Sequence, residues 1–168
     1  MTGNNPTDRS KLGTKRHILT DKQGIPLSAT ITPASTHDIK AVTDVIDNVV
    51  LNRPSESSFT KKRKRRMYYH LCLDRAYSSK SIENEIIKRG YVPHIPYKRK
   101  RGQVKETKAN QTKYSFSAKN KRWVVERTNS WHNRFRKLFT RYEKKVENYL
   151  GLVQLSCSII IYRKIVLG

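Results

Sequence analysis

The feature that most constrains the fold is a continuous apolar run, Tyr68–Leu73 (YYHLCL), which ends directly on Asp74. Such a run of strand length is typical of a strand buried on both faces, as in the middle of a mixed or parallel sheet. A second extended segment, Tyr91–Tyr97, contains two prolines, which favour an edge strand or a strand end.

A helix is predicted between these two segments. Ser78 and Ser79 can cap it, it runs from about Lys80 to Arg89, and Gly90 suits its C-terminal exit. The alternation of strand and helix indicates a layered α/β sheet rather than a helical bundle. The stripe expected to be buried consists of Ile82, Ile86 and Ile87.

The N-terminal part predicts a β-hairpin followed by a helix. Thr14–Thr20 and Ile25–Thr32 are rich in β-branched residues and flank a short loop that ends on Gly24. A helix is expected from Asp38, with Thr36 as its N-cap. Its apolar positions, at steps of three and four, are Ile39, Val42, Val45, Ile46, Val49 and Val50.

Two further helices and two basic loops complete the prediction, within one domain over residues 1–168. One long helix runs from about Ala118 into the 140s, and a last one runs from about Glu147 to Ile165. The last helix is apolar nearly all round, so we expect it to be buried or to dock on a partner. Residues 51–66 and 98–118 are basic and polar and are expected to be loops.

The net charge of +23 indicates an acidic polyelectrolyte as the partner. Cys72 and Cys157 have neither metal-ligand spacing nor a disulfide framework, which fits a reducing compartment, and both are expected to be buried thiols. The apolar stretch 149–162 is too short to cross a bilayer, and no secretory signal is visible at the N-terminus. These features favour a cytoplasmic, nucleic-acid-associated protein.

Two carboxylates are candidates for chemistry, Asp74 and Glu126. Ligands of open α/β sheets gather at the carboxyl ends of strands, where Asp74 is expected, although an aspartate there can also simply cap the next turn. Glu126 lies in a stretch, 119–145, with ten Lys or Arg and two Glu, and an intrahelical ion pair with Arg122 is the alternative role. Carboxylates in basic surroundings suit phosphodiester chemistry with two metal ions, for which magnesium, or else manganese, is the expected ion.

A helical projection from Trp123 separates a packing face from a polar stripe. The aromatic residues Trp123, Trp131 and Tyr142 could stack on bases, but the helical spacing favours core packing. The packing face contains Trp123, Val124, Trp131, Phe135 and Leu138, and the stripe contains Arg122, Glu126, Asn129, Asn133 and Lys137.

Three blocks carry a family resemblance: residues 3–38, which open GNNPTDRSKLGTKRH; residues 71–82, LCLDRAYSSKSI; and residues 121–150, which open KRWVVERTNSW. Together they resemble the DDE transposases of prokaryotic insertion sequences, in the branch that groups the fourth and fifth insertion-sequence families. The resemblance implies a ribonuclease-H-like mixed sheet flanked by helices. It also implies three carboxylates that bind magnesium, cut transposon ends and join the freed 3′-hydroxyl to target DNA.

By this resemblance Asp74 is the second acid of the triad and Glu126 is the third. Arg122 matches the arginine of the family's tyrosine–arginine–glutamate–lysine signature, while Lys119 and Asn133 stand at its tyrosine and lysine positions. The first acid of the family ends a strand upstream of the first block, so we expect this chain to lack that strand and to supply two of the three ligands. The expected DNA-binding residues are Arg122, Arg127, Asn133, Arg134, Lys137, Lys15 and Arg16.

Asp8 belongs to the first block and is not expected to be a metal ligand. Asp38 also matches a family position outside the triad, and a helix-entry cap is its favoured role.

The alternative hypothesis is a non-catalytic DNA-binding remnant or regulator derived from a transposase. Double-stranded DNA is the expected partner in both cases, and the upstream-frame portion of the transposase and a second copy of the chain are further candidates. A small RNA-binding protein is disfavoured, because it gives no role to a buried strand that ends in an aspartate.

Overall fold

The computed structural model describes residues 2–5, 9–51, 69–96 and 122–168. The chain divides into two compact units. Unit 1 contains residues 1–54 together with 122–168, and unit 2 contains residues 55–121. The architecture is mixed α/β, with one small sheet in each unit. The predicted loops 51–66 and 98–118 fall outside the described residues, apart from the exposed Leu51.

The predicted hairpin is confirmed in unit 1. The antiparallel strands β1 (Gly3–Asn4), β2 (Leu12–Thr20) and β3 (Pro26–Pro33) lie in that order in one sheet. β2 and β3 pair along their length, whereas β1 reaches only Leu12 and Gly13 of β2. Within the described part of the chain, β2 from Thr14 onward therefore has a strand neighbour on the β3 side only.

The turn between β2 and β3 is built on Asp21 and Gly24. The Asp21 carboxylate accepts hydrogen bonds from the backbone N–H groups of Gln23 and Ile25, both at 2.8 Å. Gly24 has a φ of +86°, which a residue with a Cβ adopts only with strain. The sequence of this turn thus fixes the loop that the C-terminal helices contact.

The helix predicted from Asp38 is shorter than expected. A 3₁₀ turn (Asp38–Ala41) precedes α1 (Val42–Asp47), and His37 rather than Thr36 is the capping residue. The Val50 N–H already donates to the Leu27 carbonyl at 3.4 Å, so the backbone has left the helix there. β-branched residues are weak helix formers, which favours this early end.

The prediction of a single helix from Ala118 into the 140s is wrong within the described residues, where this segment forms two helices. It is divided into α3 (Arg122–Asn133) and α4 (Arg136–Phe139), because Phe135 adopts an extended conformation between them. The last helix, α5 (Val146–Ile165), begins and ends close to its predicted bounds. α5 is only partly covered: Tyr149, Val153, Ser156 and Ile160 are buried, whereas Leu155 and Tyr162 are exposed.

The core of unit 1 is formed by residues from both the N-terminal and the C-terminal segment of that unit. Leu138, Tyr149 and Val153 are buried together, and the partly buried Ala29 and Ile31 of β3 pack against them. The break after α3 lets Leu138 reach this cluster. The C-terminal helices therefore cover the hairpin formed near the N-terminus.

Unit 2 contains a β–α–β arrangement. β4 (Tyr69–Cys72) pairs in parallel with β5 (Tyr91–His94), and α2 (Lys80–Lys88) connects them and packs on β5. Gly90 ends the helix with a φ of +78°, as predicted.

The burial predicted for β4 and for α2 is partly wrong. Leu71 is buried, but its neighbours His70 and Cys72 are exposed. The described part of unit 2 offers one helix to cover its two-stranded sheet, so one face stays open. Ile82 and Ile86 are buried and Ile87 is exposed.

The cysteines also differ from expectation, since Cys72 is exposed and Cys157 is half-buried. Among the helices in the described ranges, none is long and apolar enough to cross a membrane.

Candidate active site

Asp74 lies two residues beyond the carboxyl end of β4, which ends at Cys72, one residue earlier than the sequence predicts. Its Oδ1 accepts a hydrogen bond from the Arg75 N–H at 2.6 Å and so caps the 3₁₀ turn Arg75–Tyr77. The capping alternative is therefore confirmed as one role of this residue. A carboxylate offers about four lone-pair sites, so capping by one oxygen is compatible with holding a cation.

Glu126 is exposed on α3 and lies in unit 1, whereas Asp74 lies in unit 2. The buried side of α3 is formed by Val124, Thr128 and His132, at a spacing of four residues. The predicted packing face is wrong for Trp123, whose side chain is 55% exposed. The buried residues lie about 100–180° around the helix from Trp123, so the predicted face was centred on the wrong side of α3.

Two residues next to Glu126 fix α3 on the hairpin turn. The Thr128 hydroxyl lies 2.7 Å from the Gly24 carbonyl and 3.1 Å from the Val124 carbonyl. Arg127 donates to the Gln23 carbonyl. A Cβ at Gly24 would lie 3.0 Å from the Thr128 Oγ1 and 3.0 Å from the Arg127 Nη2, so a larger residue would displace these side chains in addition to straining the positive φ. The position of Glu126 is thus set by the turn between β2 and β3.

Arg127 is also enclosed by aromatic rings. Its guanidinium lies 4.6 Å from the centre of the Trp123 ring and 5.0 Å from that of Trp131, and the Lys164 ammonium lies 5.1 Å from the Trp131 ring. Such cation–π contacts contribute about 0.5–1 kcal/mol each at exposed sites. Arg127, predicted to bind DNA, thus also stabilises the outer face of α3.

Among the other residues predicted to bind DNA, the structure brings Arg16 and Asn133 together. The Arg16 guanidinium donates to the Asn133 Oδ1 at 2.7 Å and links β2 to the end of α3. Lys15 donates to the Thr36 carbonyl at 2.9 Å and to Asp38 at 2.8 Å.

Asp38 is therefore an ion-pair partner and not the helix cap. Arg134 and Lys137 are exposed. Arg122 is the first residue of α3, and Lys119 and Asp8 fall outside the described residues.

A buried histidine, His132, was not predicted from the sequence. Its Nδ1 lies 2.7 Å from the Ser156 Oγ, which itself donates to the Val153 carbonyl at 2.7 Å. Ser156 must then accept from Nδ1–H, which leaves Nε2 as the acceptor facing Cys157 Sγ at 3.8 Å. Burial, with the Arg16 charge acting in the same direction, lowers the pKa of His132 to about 4. The sequence did carry one signal for its burial: Val124, Thr128 and His132 stand four residues apart and therefore share one face of the helix.

A second histidine pair lies in unit 2. The His70 Nδ1 and the His94 Nε2 are 2.7 Å apart, across β4 and β5. Among the described residues, no group of three or more His, Cys, Asp or Glu side chains is arranged to hold a metal ion.

Comparison with known proteins identifies the family. A family model described as a transposase DDE domain matches residues 2–161. A protein of Burkholderia cepacia, assigned as the transposase for insertion sequence element IS402, is 32% identical over 161 residues, which cover 96% of this chain and 68% of the relative. No solved structure matches. The match extends over nearly the whole chain and includes the segments that carry Asp74 and Glu126, so this chain belongs to the DDE-type insertion-sequence transposases.

Proposed function

We propose that the chain supplies two of the three acidic ligands of a transposase that cleaves the ends of an insertion sequence and transfers the freed strand into target DNA, in a metal-dependent reaction. The observation that carries the proposal is the position of Asp74, two residues beyond the carboxyl end of a parallel strand in a member of the DDE family. Active sites of open α/β sheets lie at this end of the strands.

In this proposal Asp74 and Glu126 are two of the carboxylates that hold the metal. Both are oxygen donors, which Mg²⁺ prefers, and Mn²⁺ accepts the same donor set. When bound, the ions would activate the attacking oxygen and neutralise charge that develops on the phosphate. The proposal includes no residue of this sequence as the third carboxylate of the family.

The finer fold assignment, a ribonuclease-H-like sheet, is part of the same proposal. The supporting observations are the antiparallel hairpin of unit 1 and the β4–α2–β5 connection of unit 2. We further propose that an additional strand pairs with β2 on the side away from β3. Among the described residues no strand pairs with this edge from Thr14 onward, and a strand edge of this kind offers backbone groups to another segment.

The basic side chains would bind the DNA backbone. Arg134 and Lys137 are exposed at and just after the end of α3, and Arg16 and Asn133 lie beside them through their mutual hydrogen bond. Each phosphate contact would lower the logarithm of the affinity by about 0.9 per unit of log salt concentration. Double-stranded element ends and target DNA are the proposed partners, and a second copy of the chain is a further one.

The test locates the bound metal ion by cleavage of the protein backbone, and it does not require the protein to cleave DNA. With hydrogen peroxide and ascorbate added, Fe²⁺ bound in place of Mg²⁺ should reduce the peroxide to hydroxyl radicals that cut the backbone near residues 74 and 126, and added Mg²⁺ should suppress both cuts. Asp74→Asn and Glu126→Gln should each abolish these cuts, together with Mg²⁺-dependent nicking of DNA that carries element ends. Glu147→Gln, an exposed glutamate at the start of α5, is the matched control and should change neither.

Cuts that map elsewhere, or nicking that persists undiminished in both acid variants, would show the assignment to be wrong. The engagement of Asp74 in a structural cap favours one alternative, a non-catalytic DNA-binding protein. That alternative predicts salt-dependent DNA binding, unchanged in both acid variants, with no metal-directed cleavage.

A further inference from the structure

A groove of about 450 Å³ lies in unit 1 between the start of β2, α4 and the segment that follows α4. Three large apolar side chains on this groove are strongly exposed: Leu12 (71%), Phe139 (72%) and Tyr142 (77%). Exposed aromatic side chains grouped on one surface commonly mark a binding site. We call this surface the Tyr142 groove.

The same groove is strongly basic. Arg16, Arg141 and Lys144 line it, against one carboxylate, Glu143. An apolar protein partner would have to bury these cations at a cost in solvation. An anionic ligand with flat apolar faces matches both the charge and the aromatic lining.

The segment around Tyr142 is held in place by Arg141. The Arg141 guanidinium donates to the Glu143 carbonyl at 2.9 Å, to the Lys144 carbonyl at 3.4 Å and to the Thr14 hydroxyl. It also lies 4.9 Å from the centre of the Tyr149 ring. Arg141 thus ties the segment to β2 and α5, so the groove does not have to be assembled by its ligand.

We propose that the Tyr142 groove binds an unpaired nucleotide of single-stranded DNA. The base would stack on Phe139 and Tyr142, and the phosphate would lie near Lys144 and Arg16. Stacking needs an open base face, which a paired base within a duplex does not offer. The inference deepens the proposed function and rests on it for the identity of the ligand.

The experiment measures the affinity of the full chain for a fluorescently labelled single-stranded oligonucleotide and for its duplex. Tyr142→Ala and Phe139→Ala should each weaken single-strand binding about tenfold and leave duplex binding nearly unchanged. Tyr142→Phe should retain single-strand binding, and Tyr142→Leu, which keeps apolar surface without a π face, should lose it. Tyr162→Ala is the matched control, since Tyr162 is an exposed tyrosine of α5 that does not line the groove.

Salt dependence separates stacking from phosphate contact. Lys144→Ala should reduce the slope of log affinity against log salt by about 0.7 for the single strand, whereas Tyr142→Ala should leave the slope unchanged. Equal weakening of single-strand and duplex binding in Tyr142→Ala would overturn the proposal, as would a match between Tyr142→Ala and Tyr162→Ala. Tyr142→Ala should leave the metal-directed cuts near residues 74 and 126 unchanged, so failure of the groove and failure of the catalytic assignment give different results.

Discussion

His132 gives the sharpest test of the packing in unit 1, because its side chain is fully buried and can still take up a proton. Its pKa is lowered to about 4 in the folded chain, against 6.5 for an ordinary histidine. As the pH falls below about 6.5, the unfolded chain binds a proton here and the folded chain does not. The free energy of unfolding therefore falls, until the folded chain also binds the proton below about pH 4.

The linkage relation gives the size of this effect for the two pKa values. His132 alone should lower the free energy of unfolding by about 2 kcal/mol at about pH 5 and by about 3 kcal/mol at about pH 4. Domains are commonly stable by roughly 5–15 kcal/mol, so the loss is easily measured. The main physical cause is burial, which removes water from a charged imidazole, and the nearby charge of Arg16 acts in the same direction.

The assay is urea unfolding of the full chain and of His132→Gln, followed by circular dichroism from about pH 7.5 down to about pH 4.5. The variant should be less stable at neutral pH but lose less stability on acidification, so the two curves converge as the pH falls. Asn148→Gln, at an exposed residue of α5 that does not titrate, is the control and should run parallel to the parent chain. Parallel curves for His132→Gln and the parent would refute the assignment of a neutral buried histidine.

Three further predictions concern the same unit and the two thiols. Thr128→Val should lower the free energy of unfolding by about 1–3 kcal/mol, because it removes the hydroxyl bound to the Gly24 carbonyl, and Thr128→Ser should restore part of the loss in the same urea assay. Gly24→Ala should cost about 1–2 kcal/mol from its positive φ and more from the contact with Thr128, and an unchanged melting temperature would contradict this account. Cys72 should react with a thiol reagent in the folded chain, whereas burial raises the pKa of Cys157 to about 11, so its reaction should require urea; equal rates would contradict the difference in burial.

The sequence predicts best the elements that depend on local chemistry. The hairpin follows from β-branched residues around the Asp21–Gly24 turn, and α5 follows from a long apolar segment. The strand that ends on Asp74 was also predicted, because its apolar run is bounded by a charged residue. Burial was less predictable: His70 is exposed because the sheet of unit 2 has an open face within the described residues.

The residues that position the candidate site were mostly missed, because their contacts are distant in sequence. Nothing near Thr128 shows that its hydroxyl contacts Gly24, and nothing near Arg16 shows that it contacts Asn133. The break after α3 is likewise a tertiary effect, in which burial of Leu138 outweighs continuation of the helix. Trp123 was misplaced for another reason: the projection assumed that its apolar ring faces the core, whereas the polar residues Thr128 and His132 occupy the buried face.

The contacts that hold α3 on the hairpin also determine the order in which the chain can fold. The hydrogen bonds from Thr128 to Gly24 and from Arg16 to Asn133 span 104 and 117 residues. During synthesis the hairpin is made before unit 2, and α3 and α5 that cover it are made after unit 2. Unit 1 can thus be completed only after α5 has been translated, and until then the apolar face of β3 lacks the side chains that cover it.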